Sequence, residues 1–265
     1  MQIPILISLH LVQAEPIHNR EDPARNNNAP KGSYYDDGDP MEIVPGIHQV
    51  DSVNGNSYIV VRESLTVIDT GMPGSGRKIL AYITDTLHRR PDEVGTIFLT
   101  HFHMDHTGGL AALKKAAPKA NVAVHEAEAG YISGKTALPR YPGVKGMLLR
   151  IIEKFMGPKP IEPDFLLKDG DRVDSLLCVH LPGHTPGCIG LLDEGSKVFF
   201  SGDTLRSDGK SIMRGPALFT MDLGLECESI RRIAELDFDT LLAGHGVPHR
   251  PGASSKVREF ADTIS

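Results

Sequence analysis

Leu99-Thr100-His101-Phe102-His103-Met104-Asp105-His106-Thr107-Gly108-Gly109 decides how the rest of the chain is read. Four metal-competent side chains fall within six residues, directly after the apolar run Thr96-Ile97-Phe98-Leu99. Imidazole and carboxylate suit zinc, and also iron or manganese. In an extended segment, side chains two residues apart point the same way. His101 and His103 can therefore grip one ion, while Asp105 and His106 turn toward a second position. Gly108-Gly109 gives the backbone room for the tight turn this needs.

Outward from this loop, short apolar runs alternate with turns. Residues 47–51, 57–61 and 65–69 read as strands, with Asn54-Gly55 as a hairpin signal. Ile79, Ile83 and Leu87 recur every four residues, so 75–90 reads as an amphipathic helix that Pro91 ends. A helix starting at Leu110 stops at Pro118, and 121–125 is a strand. A helical stretch is expected near 144–156. The runs at 165–167, 176–179, 189–192 and 198–200 are further strands. Ile230, Ile233 and Leu236 return to helical spacing. The run 240–243 is a last strand, and 254–264 a closing helix.

Composition bounds the function. The chain has 265 residues, 40% hydrophobic and 23% charged, enough to bury a sizeable core. A net charge of −6 argues against a nucleic-acid partner, which calls for a basic face. Three cysteines, Cys178, Cys188 and Cys227, form no C-x-x-C pair, so they read as small buried hydrophobes and not as a zinc knuckle or a disulfide framework. Of the twelve histidines, five sit in short loops flanked by Gly, Asp or Thr: His101, His103, His106, His184 and His245.

The ends of the chain differ from its middle. Residues 1–14 hold an apolar run closing on Val12-Gln13-Ala14, which has the look of a signal-peptidase site but lacks a basic leader. Residues 16–40 are rich in Asn, Asp, Pro and charge, a composition that cannot offset its own ordering entropy. The expected organisation is an N-terminal extension or arm over 1–40 and a catalytic domain over 41–265. The cytoplasm is the expected compartment, with export through an N-terminal signal as the alternative.

Four further stretches complete a pattern. Val67-Ile68-Asp69-Thr70-Gly71, Leu181-Pro182-Gly183-His184-Thr185-Pro186-Gly187, Phe200-Ser201-Gly202-Asp203-Thr204 and Ala243-Gly244-His245-Gly246 each lie where an apolar run meets a Gly-flanked loop. Taken in order with the His loop, they resemble the metallo-β-lactamase superfamily, on its glyoxalase II-like and lactonase-like side. The resemblance implies an α/β fold, a four-layer αββα sandwich with metals at one sheet edge. It implies that His101, His103 and His184 hold one ion, that Asp105, His106 and His245 hold a second, and that Asp203 bridges the two. Asp69 would orient ligands, or else close an Asx-type turn.

The expected cofactors are two divalent ions, zinc first, with iron or manganese as alternatives. The expected activity is hydrolysis of a lactone, ester or thioester by a metal-bridging hydroxide, with Asp105 holding that hydroxide and passing on its proton. Alternatives within the resemblance are a β-lactamase activity and a mononuclear iron sulfur dioxygenase. Asp203 turns the reading from the first, because true β-lactamases of the family usually lack a carboxylate there. Leu205-Arg206-Ser207 stands where the quorum-sensing lactonases usually carry a tyrosine. The C-terminal helical domain with which glyoxalase II binds glutathione is not expected after His245. Residues 131–165 and 205–221 are expected to wall the pocket, with Tyr131, Tyr141, Met147, Leu148, Ile152, Phe155, Met156, Met213 and Phe219 as its apolar lining. The expected partner is a small-molecule substrate, with no nucleic acid and no membrane; a homodimer would form through the N-terminal arm or residues 131–165.

Overall fold

Strands apolar on both faces need cover on both sides. A computed structural model of the chain, describing residues 41–50, 53, 55–139 and 157–264, shows what supplies it. The expected arm over 1–40, the expected helix near 144–156, and Asn54 of the hairpin signal lie outside the described residues.

In chain order the elements are β1 (Glu42–Val44), β2 (Ile47–Gln49), β3 (Tyr58–Val61), β4 (Leu65–Ile68), α1 (Ser75–Ala81), β5 (Val94–Phe98), α2 (Met104–Thr107), α3 (Leu110–Ala116), β6 (Asn121–His125), α4 (Ala129–Ile132) and β7 (Phe165–Leu167). There follow β8 (Arg172–Val173), β9 (Leu176–His180), β10 (Ile189–Asp193), β11 (Val198–Gly202), β12 (Leu205–Asp208), β13 (Ile212–Arg214), α5 (Leu223–Ala234), β14 (Thr240–Ala243), β15 (Gly246–Val247) and α6 (Ala253–Ala261). The first seven strands form one sheet in sequence order. A second sheet has the order β14-β11-β10-β9-β8, and β13-β12-β15 form a small third one that the sequence reading did not anticipate.

Three apolar clusters show the layering. Between the sheets, Tyr58, Val60, Ile68 and Phe98 meet Ile189, Leu191, Phe200 and Leu242. On the outer face of the first sheet, Ile59, Val67 and Ile97 meet Ile79 of α1 and Leu110 and Leu113 of α3. On the outer face of the second, Phe199, Leu192 and Leu241 meet Ile230 and Ile233 of α5 and Val257 of α6. Adjacent residues such as Phe199 and Phe200 therefore serve different cores, as the two-residue period of a strand requires. The result is the αββα sandwich. All three cysteines are buried. Among the described residues, no helix is long and apolar enough to cross a membrane.

Two local expectations need correction. The helix expected over 75–90 is α-helical only to Ala81. It continues as a π-helical turn over 82–86 and stops before Pro91 because His88 takes a left-handed conformation, φ 52°. Gly108 and Gly109 do not relieve a strained turn, since their φ values are −65° and −87°. They are small because Pro73 and the Thr70 carbonyl lie where a Cβ would stand.

Leu191 is fully buried between the sheets, whereas Leu166 on β7 is 56% exposed. Leu191→Ala should lower stability by about 2–5 kcal/mol, and Leu166→Ala by no more than about 0.5 kcal/mol. Denaturant titration of both variants checks the layering.

Candidate metal centre

The ligand-type residues all follow strand ends. Asp69 follows β4, the His loop follows β5, His184 follows β9, Asp203 follows β11 and His245 follows β14. Cross-links hold the two sheets together at this rim. Ile189 N–H donates to Thr100 O at 3.0 Å, Asn56 N–H to Gly244 O at 2.7 Å, and Tyr58 Oη–H to Ala243 O at 2.6 Å. Gly244 is glycine because a Cβ there would collide with the Asp203 carboxylate and the His106 ring.

The structure brings all seven residues together in three overlapping groups: His101, His103 and His184; His101, His106 and Asp203; and Asp105, His106 and His245. In each group the ligand atoms lie within 4.8 Å of one another. In the first group, His101 Nε2 and His184 Nε2 each stand 3.0 Å from His103 Nδ1. Burial, reinforced by the neighbouring imidazoles, pushes His103 down to about 3; burial also takes His184 to about 4. Both rings are therefore neutral at neutral pH, the form that ligates a metal.

In the third group, His245 Nε2 lies 3.1 Å from Asp105 Oδ2. Asp203 reaches both ends, with Oδ1 3.4 Å from His106 Nε2 and Oδ2 3.4 Å from His245 Nε2 and 3.7 Å from His184 Nε2. Burial opposes a charge on His245, but hydrogen bonds to Asp105 and Asp203 raise it to about 9. A cation in this gap would displace that proton.

The residues fit a pair of divalent ions. His106 Nε2 and Asp203 Oδ1 are buried with no hydrogen-bond partner, a costly arrangement that a cation between them would relieve. The donors are imidazole nitrogens and carboxylate oxygens, as zinc, iron or manganese require.

A surrounding shell orients the rings. Asp69 accepts from the Thr100 N–H and hydroxyl, both at 2.8 Å, and its Oδ2 lies 2.8 Å from His106 Nδ1. That contact turns His106 Nε2 inward. Asp69 is thus an orienting group and not a simple Asx turn. Thr220 connects His184 Nδ1, at 3.3 Å, to Glu226, at 2.9 Å.

Glu128, which the sequence reading missed, ties two ligand loops together. Its Oε2 accepts the Phe102 N–H at 2.8 Å, between His101 and His103, and its Oε1 accepts the Gly187 N–H at 2.7 Å, beyond His184. Burial pushes its carboxyl up to about 7 against these donors. Nothing in His125-Glu126-Ala127-Glu128 marks which glutamate is buried; Glu126 is exposed.

Of the expected pocket lining, the Tyr131 ring packs at a tilt against Phe102, centroids 4.4 Å apart, and the Phe219 ring centroid lies 6.4 Å from that of His103. Met213 is exposed in a separate groove. Tyr141, Met147, Leu148, Ile152, Phe155 and Met156 lie outside the described residues. Glu128→Gln should weaken metal binding about 10- to 100-fold without unfolding the chain. Glu126→Gln should leave it unchanged; competition with a chromophoric chelator measures both.

The likeness to known proteins agrees with this geometry. The model of the metallo-beta-lactamase superfamily matches residues 50–245. The probable metallo-hydrolase YflN of Bacillus subtilis (strain 168) is 28% identical over 250 residues, covering 85% of this chain and 93% of its own. The acyl-coenzyme A thioesterase MBLAC2 of Gallus gallus is 30% identical over 164 residues, covering 55% of this chain and 54% of its own. The metallo-beta-lactamase family protein TTHA1429 from Thermus thermophilus shares the fold, with a TM-score of 0.62 at 22% identity over 83% of this chain and 79% of its own. With its ligand-type residues gathered at one rim of two facing sheets, and a family match running from Val50 to His245, the chain belongs to the metallo-β-lactamase superfamily.

Proposed function

We propose that the chain is a hydrolase of acyl thioesters and related esters and lactones, working with two divalent ions, zinc in first place. The observation that carries this reading is the Asp203 carboxylate, which stands within 3.7 Å of imidazoles from both ends of the ligand set. The ions, when bound, supply Lewis acidity for the carbonyl and acidify a water.

The chain's own residues do the rest. Asp105 is the least buried of the carboxylates here, its side chain 31% exposed. Burial works against its charge, but His106 and His245 hold it well below the usual carboxylate range. It is therefore an ionised acceptor at the open side of the centre, suited to take a proton from the attacking water. Hydrolysis breaks the bond from the carbonyl carbon to sulfur or oxygen, forms one to the water oxygen, and returns a proton to the leaving group. Beside His103 lies a well of about 160 Å³ lined by Phe102, Tyr131, Ile132, Leu138 and Pro160. Its apolar walls suit an acyl chain. The likeness to a thioesterase supports the thioester as first choice among the bonds.

Purified protein should carry close to two ions per chain, and chelation should abolish turnover of an ester, thioester and lactone panel. His103→Ala should lose metal and turnover together. Retained turnover in that variant overturns the assignment. Oxygen consumption with a persulfide would instead favour the dioxygenase chemistry.

A further inference from the structure

We infer that Glu226 is a positioning residue of the metal centre: acting through the Thr220 hydroxyl, it fixes which ring nitrogen of His184 faces the ions. The inference rests on the reading of His184 as a metal ligand and goes one layer outward from it.

Glu226 stands near the start of α5 and is fully buried. Burying a carboxyl is costly unless hydrogen bonds satisfy it. Here one oxygen, Oε2, has no hydrogen-bond partner, and the other, Oε1, accepts from the Thr220 hydroxyl at 2.9 Å. Oε1 is 3.9 Å from His184 Nδ1, too far for a direct bond. The hydroxyl spans the gap, standing 3.3 Å from His184 Nδ1. Two glycines permit this approach. A Cβ on Gly183 would collide with the Glu226 backbone, and one on Gly215 would stand 3.5 Å from both Glu226 Oε1 and His184 Nδ1.

Holding α5 against the His184 loop does not call for this carboxyl. Met221 N–H lies 3.1 Å from both Gly183 O and His184 O, and Asp222 N–H donates to Gly183 O at 2.9 Å. Further along α5 the Ser229 hydroxyl donates to Pro182 O at 2.7 Å. A methionine at 226 would fill similar space without the cost of desolvating a carboxyl. What the carboxyl adds is its hold on the Thr220 proton.

A threonine hydroxyl has one proton to donate. Beside His184 alone, it could donate to Nδ1 or accept from it. The two choices leave opposite tautomers, and so opposite nitrogens free to ligate. Oε1 of Glu226 accepts whether or not Oε2 is protonated. It takes the hydroxyl proton, so Thr220 accepts from the ring. Nδ1 then carries the imidazole proton, and Nε2 presents its lone pair. Nε2 is the atom that faces the centre, 3.0 Å from His103 Nδ1 and 3.7 Å from Asp203 Oδ2. Pro216 O, at 3.4 Å, is a weaker competitor for the hydroxyl proton.

The test removes zinc from each holoprotein with a chromophoric chelator, then follows unfolding of the metal-free chain in denaturant. Glu226→Met and Thr220→Val should each lower zinc affinity about 10- to 100-fold. The double variant should lose no more than the larger single effect, because the two residues act in series. Thr220→Ser, which keeps the hydroxyl, should bind zinc as the wild type does. Metal-free Glu226→Met should unfold at a denaturant concentration no lower than the wild type, since an apolar group replaces a buried carboxyl. A merely structural role would move affinity and stability together. Unchanged affinity in either single variant, additive losses in the double, failure of Thr220→Ser to bind better than Thr220→Val, or a loss matched by destabilisation of the metal-free Glu226→Met chain overturns the inference alone. Unchanged zinc affinity in His184→Ala overturns the ligand reading, and the inference with it.

Discussion

Asp203 sets the central constraint. It is a buried carboxylate facing His106, His184 and His245, with one oxygen left unpaired. The facing His106 Nε2, 3.4 Å away, is likewise without a hydrogen-bond partner. Burial of such groups is tolerated only where something else satisfies them. The rest of the rim is arranged around that need. Asp69 turns His106 inward, Glu128 ties the His101–His103 loop to the loop after His184, and Gly244 leaves space for the carboxylate itself.

Much of this was legible in the sequence. The pattern His101-x-His103-x-Asp105-His106 announces a metal because so few residues separate four donors. His184, Asp203 and His245 became legible by their place in Gly-flanked loops at strand ends, and through the resemblance those loops carry. The layering came through the same resemblance, and runs such as Val198-Phe199-Phe200, apolar on successive residues and buried on both faces, agree with it.

What the sequence hid has a common cause. Glu128 and Glu226 are ordinary glutamates until tertiary contacts bury them; Glu126, two residues from Glu128, is exposed. The small third sheet is held by pairs such as Ser207 with Gly246, far apart in the chain, with no periodic signal in either segment. In the sequence Gly108 and Gly109 look like conformational glycines, whereas neighbours packed against them decide their identity. Such features depend on which distant segment arrives, and one strand's pattern does not encode that.

The proposed bridging role of Asp203 is tested most directly by the metal content and turnover of Asp203→Asn. The asparagine keeps the size of the side chain and removes the charge that two cations would share. About two ions per wild-type chain, against loss of at least one ion and of turnover in the variant, is the expected result. Two ions held with undiminished affinity and wild-type turnover in Asp203→Asn would contradict a shared carboxylate at the heart of the site.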